Sequence, residues 1–276
     1  MRRAPLAVRA PGVMCPPAAM WTVALVAMAM VLCAACGGGG RDADGSSIPA
    51  STLTVFAAAS LRTTFTQLGA EFEEAHPGTT VSFSFAGSAD LLTQLQGGAP
   101  ADLFASADTA NMERAAADQL VAGRAVPFAA NRLEIAVPLD NPAQIASFAD
   151  LARPGTRLVT CAPEVPCGAA TQRVASAAGV SLQPVSEESS VTDVLNKVQT
   201  GEADAGLVYV SDVKAAVGKV KGVSFPEARR AVNEYPIAVL AGSRQPQLAE
   251  QFLALVTGPR GREVLAGAGF TVPRPQ

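Results

Sequence analysis

The sequence predicts an α/β fold in two lobes, and two observations carry that prediction. Apolar, β-branched runs alternate with runs whose apolar residues fall three and four apart, first over residues 52–108 and again from residue 132 onward. Strand–helix–strand order of this kind makes βαβ units, in which strands run the same way and helices cover the sheet. The second observation is a local arrangement that occurs twice. "TVFAAASL" and "SFSFAGSADL" each end an apolar run in small residues and a serine, Ser60 or Ser88, just before a helical pattern begins.

Taken in order, "LTVFAAAS" reads as a strand, and Leu61, Phe65, Leu68 and Phe72 mark one face of the helix after it, which "HPG" stops. "TTVSFSFAGS" is the next strand, followed by a helix carrying Leu91, Leu92 and Leu95 that ends at "GGAP"; "ADLFASAD" is a third strand. "RLEIAVP" (strand), "FADLARPG" (short helix) and "RLVTCAP" (strand) repeat the grammar. "GAATQRVASAAG" and "VTDVLNKVQTG" then read as helices and "DAGLVYVSD" as a strand. "NEYPIAVL" is the last strand, and "PQLAEQFLALVTGPRGREVLAGAGF" a helix pair broken at Gly258-Pro259. Chain order assigns residues 52–131 and 237–276 to the first lobe and 132–236 to the second. Strands near "NRLEIAVP" and "NEYPIAVL" would cross between the lobes as a hinge.

The N-terminus is set apart from the fold. Arg2, Arg3 and Arg9 precede a continuous apolar run, Met20 to Leu32, which ends in the small residues of "LCAACGGGG". This is the layout of a signal peptide. The small residues before Cys36 resemble a bacterial lipobox, which implies a signal peptide over residues 1–35 and a lipid on Cys36. An ordinary signal peptide cut nearby and an uncleaved anchor are the alternatives, the latter disfavoured by a run shorter than the ~20 residues of a membrane span. Residues 36–51, "CGGGGRDADGSSIPAS", read as a flexible tether.

Removing residues 1–35 takes away three arginines and no acid, so 18 basic residues face 24 acidic ones, a formal charge of −6. An acidic chain without a basic run argues against nucleic acid as a partner. Two of the five cysteines lie in the folded region, Cys161 and Cys167. Outside the cytoplasm a close pair is most economically a disulfide, with two free thiols as the alternative. A zinc site is disfavoured, because His76 is the one histidine of the chain.

Enzyme chemistry fails on inventory. A Ser-His-Asp triad has one candidate base, His76, and no serine sits in G-x-S-x-G. G-x-x-x-x-G-K-[ST] is absent, and "GPRGREVLAGAG" follows a helix rather than the strand a dinucleotide turn needs. Tyr209 and Tyr235 are the two tyrosines of the sequence, few for ferric-ion capture.

The strand–serine–helix units have a physical use. The first turn of a helix presents amides with no intrahelical partner, and the helix dipole adds partial positive charge there. A small anion sits well at such an end. Two units at the carboxyl ends of parallel strands would bring Ser60 and Ser88 to one crevice. The bland alternative is that each serine merely caps its helix, worth ~1 kcal/mol. Neither unit contains Lys or Arg, so an anion held there is selected by donor geometry rather than by net charge. Such a pocket favours a fully deprotonated tetrahedral oxyanion over protonated phosphate, which would set a donor against a donor.

"VFAAASL", "SFAGSADL", "GAPADLFASAD", "VPCG" and "GLVYVSD" together resemble the molybdate-binding lipoproteins of bacterial ABC importers, from about Thr52 to Phe270. The resemblance implies a type II periplasmic-binding-protein fold, two lobes with mostly parallel sheets joined by a two-strand hinge, and the anion between them. It implies that Ser60 and Ser88 donate hydroxyl and amide hydrogens, Cys167 and Val191 backbone amides, and Tyr209 its phenol hydroxyl. Val191 and Tyr209 are otherwise core residues. The expected ligand is molybdate or tungstate, with no cofactor, a membrane permease as partner, a lipid anchor on the cell membrane, and a monomer. Another tetrahedral oxyanion such as sulfate or thiosulfate, a non-transport sensor, and a serine-dependent enzyme on the same fold are the rival readings.

Overall fold

The computed structural model describes residues 51–273. The expected signal peptide, the expected lipid site Cys36 and nearly all of the expected tether lie outside the described residues.

Two five-stranded sheets share one topology. The first has the order β2-β1-β3-β10-β4, built from Thr79–Ala86 (β2), Ser51–Ala58 (β1), Leu103–Ala105 (β3), Asn233–Val239 (β10) and Val126–Asn131 (β4). The second has the order β7-β6-β8-β5-β9, from Ser186–Glu188 (β7), Leu158–Cys161 (β6), Ala205–Tyr209 (β8), Leu133–Val137 (β5) and Lys221–Val223 (β9). In each sheet one strand opposes its two neighbours. It is β10 between β3 and β4, and β5 between β8 and β9. The reversed strand is in both cases the one that arrives from the other sheet. Only Arg132 separates β4 from β5. On the return, β10 joins the first sheet already at Asn233, which pairs with Asn131, four residues ahead of the return expected at Ile237.

Helices fill the crossovers: Arg62–Ala75 (α1), Ser88–Gln96 (α2) and Thr109–Ala117 (α3) in the first lobe, Pro166–Ala178 (α4), Val191–Gln199 (α5) and Val210–Ala215 (α6) in the second. Pro246–Thr257 (α7) and Pro259–Gly267 (α8) return to the first lobe, broken at Gly258-Pro259 as the sequence leads one to expect. Alternation along β1 sends Leu53 and Val55 to a core with Phe65, Phe72, Ile237 and Phe252. Phe56 points to the opposite face, with Leu91, Leu92 and Phe104. A strand buried on both faces is what a sheet covered by helices on both sides requires. The second lobe's core gathers Leu133, Ile135, Leu158, Val174, Val194 and Leu207.

Strands β7 and β9, three residues each, are too short to show a period, and three further elements escape the periodicity reading for physical reasons. Helix α3 buries only Asn111, Met112 and Ala115, too small an apolar face to register. Strand β4 carries Pro127, tolerated because β4 lies at the sheet edge. Helix α6 buries Ser211 and Asp212 rather than apolar residues.

Candidate functional site

Four helix starts and one strand end converge between the lobes. Ala58–Ser60 lead from β1 through a 3-10 turn into α1, and Ala86–Ser88 lead from β2 into α2. From the second lobe come Val165–Cys167 at the start of α4, Val191 at the start of α5, and Tyr209 at the end of β8. With Ala107 these residues line one small cavity between the lobes. All five residues singled out from sequence, Ser60, Ser88, Cys167, Val191 and Tyr209, are in its wall, and none of its lining residues is charged.

Neither serine is a plain cap. The caps of the 3-10 turn, α1 and α2 are Ala58, Leu61 and Gly87, and none of these ends has a side-chain cap hydrogen bond. The Ser88 Oγ instead accepts the Ala107 N–H at 2.9 Å. That occupies a lone pair and leaves the Ser88 hydrogen free to point into the cavity. Ser60 Oγ lies 3.0 Å from the Tyr235 hydroxyl. The Tyr209 hydroxyl oxygen accepts from Asn233 Nδ2 at 2.8 Å. Burial raises the Tyr209 pKa well above its usual range, so the phenol keeps its hydrogen.

The backbone donors follow from helix geometry. Cys167 and Val191 are within the first two residues of α4 and α5, where amides lack an intrahelical acceptor. Val191's side chain belongs to the second lobe's core, so what it offers the cavity is its backbone. Cys161 and Cys167 form a disulfide with Cα atoms 5.7 Å apart, tying the end of β6 to the first turn of α4. Gly168 completes that junction: a Cβ there would lie 2.6 Å from the Cys161 carbonyl oxygen.

Several supporting residues carry no motif. Asn233, Tyr235 and Asp212 are all buried. Asp212 accepts the Tyr209 N–H at 2.8 Å, and burial pushes its carboxyl up to about 7. The available signal is a polar residue inside an apolar run, as in "NEYPIAVL" and "LVYVSD". Among the described residues no cluster of three or more His, Cys, Asp or Glu could hold a metal ion.

Comparisons with known proteins agree with this architecture. Residues 53–271 match the family model described as bacterial extracellular solute-binding protein. The chain is 53% identical over 244 residues to the molybdate-binding protein ModA of Mycobacterium tuberculosis (strain ATCC 25618 / H37Rv), covering 85% of this chain and 94% of that protein. It is 32% identical over 234 residues to ModA of Escherichia coli (strain K12), covering 80% and 89%. The solved periplasmic molybdate-binding protein of Azotobacter vinelandii superposes with a TM-score of 0.71 at 23% identity, covering 80% of this chain and 100% of that one, a likeness of fold. With the two-lobed fold, the family match over residues 53–271 and a relative at 53% identity, the chain belongs to the ModA family of bacterial extracellular solute-binding proteins.

Proposed function

We propose that the protein captures molybdate between its two lobes and delivers it to the permease of an ABC importer, acting as a binding protein and not as an enzyme. The observation that carries this reading is the cavity wall. Twelve residues line it, none of them charged, and its polar groups are hydroxyls and helix-start amides from both lobes. A dianion held this way keeps its charge stabilised by fixed dipoles, and the cavity rejects a ligand that brings its own O–H.

In this reading Ser60 and Ser88 donate from the first lobe, and the Cys167 and Val191 amides and the Tyr209 hydroxyl from the second. Contact from both sides biases the lobes toward closure, because only differential contact shifts such an equilibrium. Tungstate, nearly isosteric, is expected to bind as well. The lipid on Cys36 would hold a monomer on the outer side of the cell membrane, within reach of the permease. Titration calorimetry of the chain from Cys36 against molybdate, tungstate, sulfate and phosphate tests the ligand. Tight binding of the first two and much weaker binding of the others is expected; sulfate binding as tight as molybdate binding would remove the assignment.

A further inference from the structure

Resting on that reading of the cavity, we propose that Asn233 is a positioning residue that sets which way the Tyr209 hydroxyl hydrogen points, and so makes the cavity reject protonated anions. Asn233 opens β10, where the chain returns to the first sheet, and is 2% exposed. Its Nδ2 shares two hydrogens among three acceptors: the Ala107 carbonyl at 3.0 Å in the first lobe and, in the second, the Pro166 carbonyl at 3.2 Å and, nearest of all, Tyr209 Oη at 2.8 Å. Its Oδ1 accepts from Arg173 at 2.9 Å.

These partners leave the amide one orientation. Two carbonyls can only accept and a guanidinium can only donate, so flipping the amide would set like against like at three places. The Nδ2 side therefore faces Tyr209. Tyr209 Oη takes the shortest of the three bonds, so its own hydrogen turns away from Asn233 and is available to an anion in the cavity. Ala107 carries the same order into the first lobe: its carbonyl takes the Asn233 hydrogen, and its N–H holds the Ser88 oxygen. One side chain thus touches the groups that orient a donor in each lobe.

Asn233→Asp keeps size and shape but presents only acceptors to Tyr209. The phenol then donates to the introduced carboxylate and turns a lone pair to the cavity, which suits the O–H of hydrogen phosphate. Calorimetry at pH 8, where molybdate and hydrogen phosphate are both dianions, compares the two. The added negative charge weakens both anions alike and cancels in their ratio. The molybdate-to-phosphate affinity ratio is expected to narrow by at least about tenfold, the loss of one hydrogen bond to a charged ligand. Equal weakening of both anions overturns the proposal.

Should that variant fail to fold, Asn233→Ala read with and without Tyr209→Phe decides. Acting through the hydroxyl, the alanine is expected to cost about fivefold or more alone and less than about twofold beside phenylalanine. Additive losses overturn the proposal. Wild-type protein that takes another tetrahedral oxyanion in place of molybdate removes the molybdate assignment, and the same ratios are then read with that anion. Wild-type protein that binds no oxyanion overturns both.

Discussion

Gly87 and Ser189 meet across the cleft so closely that a Cβ on Gly87 would run into the Ser189 carbonyl oxygen, with Val165 Cγ1 a further 3.6 Å contact. Gly87 caps α2 with φ −59 and ψ 141, a conformation open to any residue. Its lack of a side chain therefore serves the approach of the second lobe and not a special backbone turn.

Gly87→Ala accordingly separates closure from folding. The first lobe is expected to fold normally, because alanine fits the backbone at this position. Closure is blocked by a methyl group, and the donors of the second lobe no longer reach the anion. Molybdate affinity should fall by more than about tenfold, consistent with losing at least one hydrogen bond to a charged ligand. Ligand-induced compaction in small-angle scattering should shrink with it. Wild-type affinity in this variant would show that the close approach has no part in binding.

The two serines are expected to differ when removed. Ser60→Ala deletes a hydroxyl whose protein partner, Tyr235, is another hydroxyl free to rotate. It should cost about tenfold to a hundredfold in affinity with little change in melting temperature. Ser88→Ala also strands the Ala107 N–H in a buried site. An unsatisfied buried donor costs roughly 1–3 kcal/mol, so this variant should lose stability even without ligand. Thermal melts of the ligand-free proteins beside calorimetry separate the two cases, and equal stability loss in both would contradict the hydrogen bonds described.

The strand–serine–helix units were legible because small residues, a hydroxyl and the onset of a 3.6-residue period fall within one short window around Ser60 and again around Ser88. Val191 and Tyr209 were legible only through the resemblance to a family, since the Val191 side chain is ordinary core and the role proposed for it is a backbone one. Asn233 and Tyr235 were illegible for another reason. They lie in β10 and reach Tyr209 and Ser60 across 24 and 175 residues of sequence, a pairing that only the return of the chain to the first sheet creates. The reversal of β5 and β10 escaped for the same cause. Periodicity identifies a strand but carries no sign of its direction, and direction here follows from which lobe the chain has just left.

Asp212 gives the fold a pH dependence whose sign can be worked out. Burial holds its carboxyl at about 7 in place of 3.8, partly opposed by the Tyr209 N–H that it accepts. Between those two values the folded protein keeps a proton that the unfolded chain has released. Folding is therefore favoured less as pH rises from about 4 to about 7, and the full cost persists above that range. A shift of this size corresponds to something on the order of 4 kcal/mol, reduced by whatever relaxation the ionised form permits. Asp212→Asn retains an oxygen for the Tyr209 N–H and removes the titration. In urea denaturation it should match or fall below wild type near pH 5 and exceed it by a few kcal/mol near pH 8. Stability curves that stay parallel from pH 5 to pH 8 would mean that Asp212 does not hold its proton in the folded state.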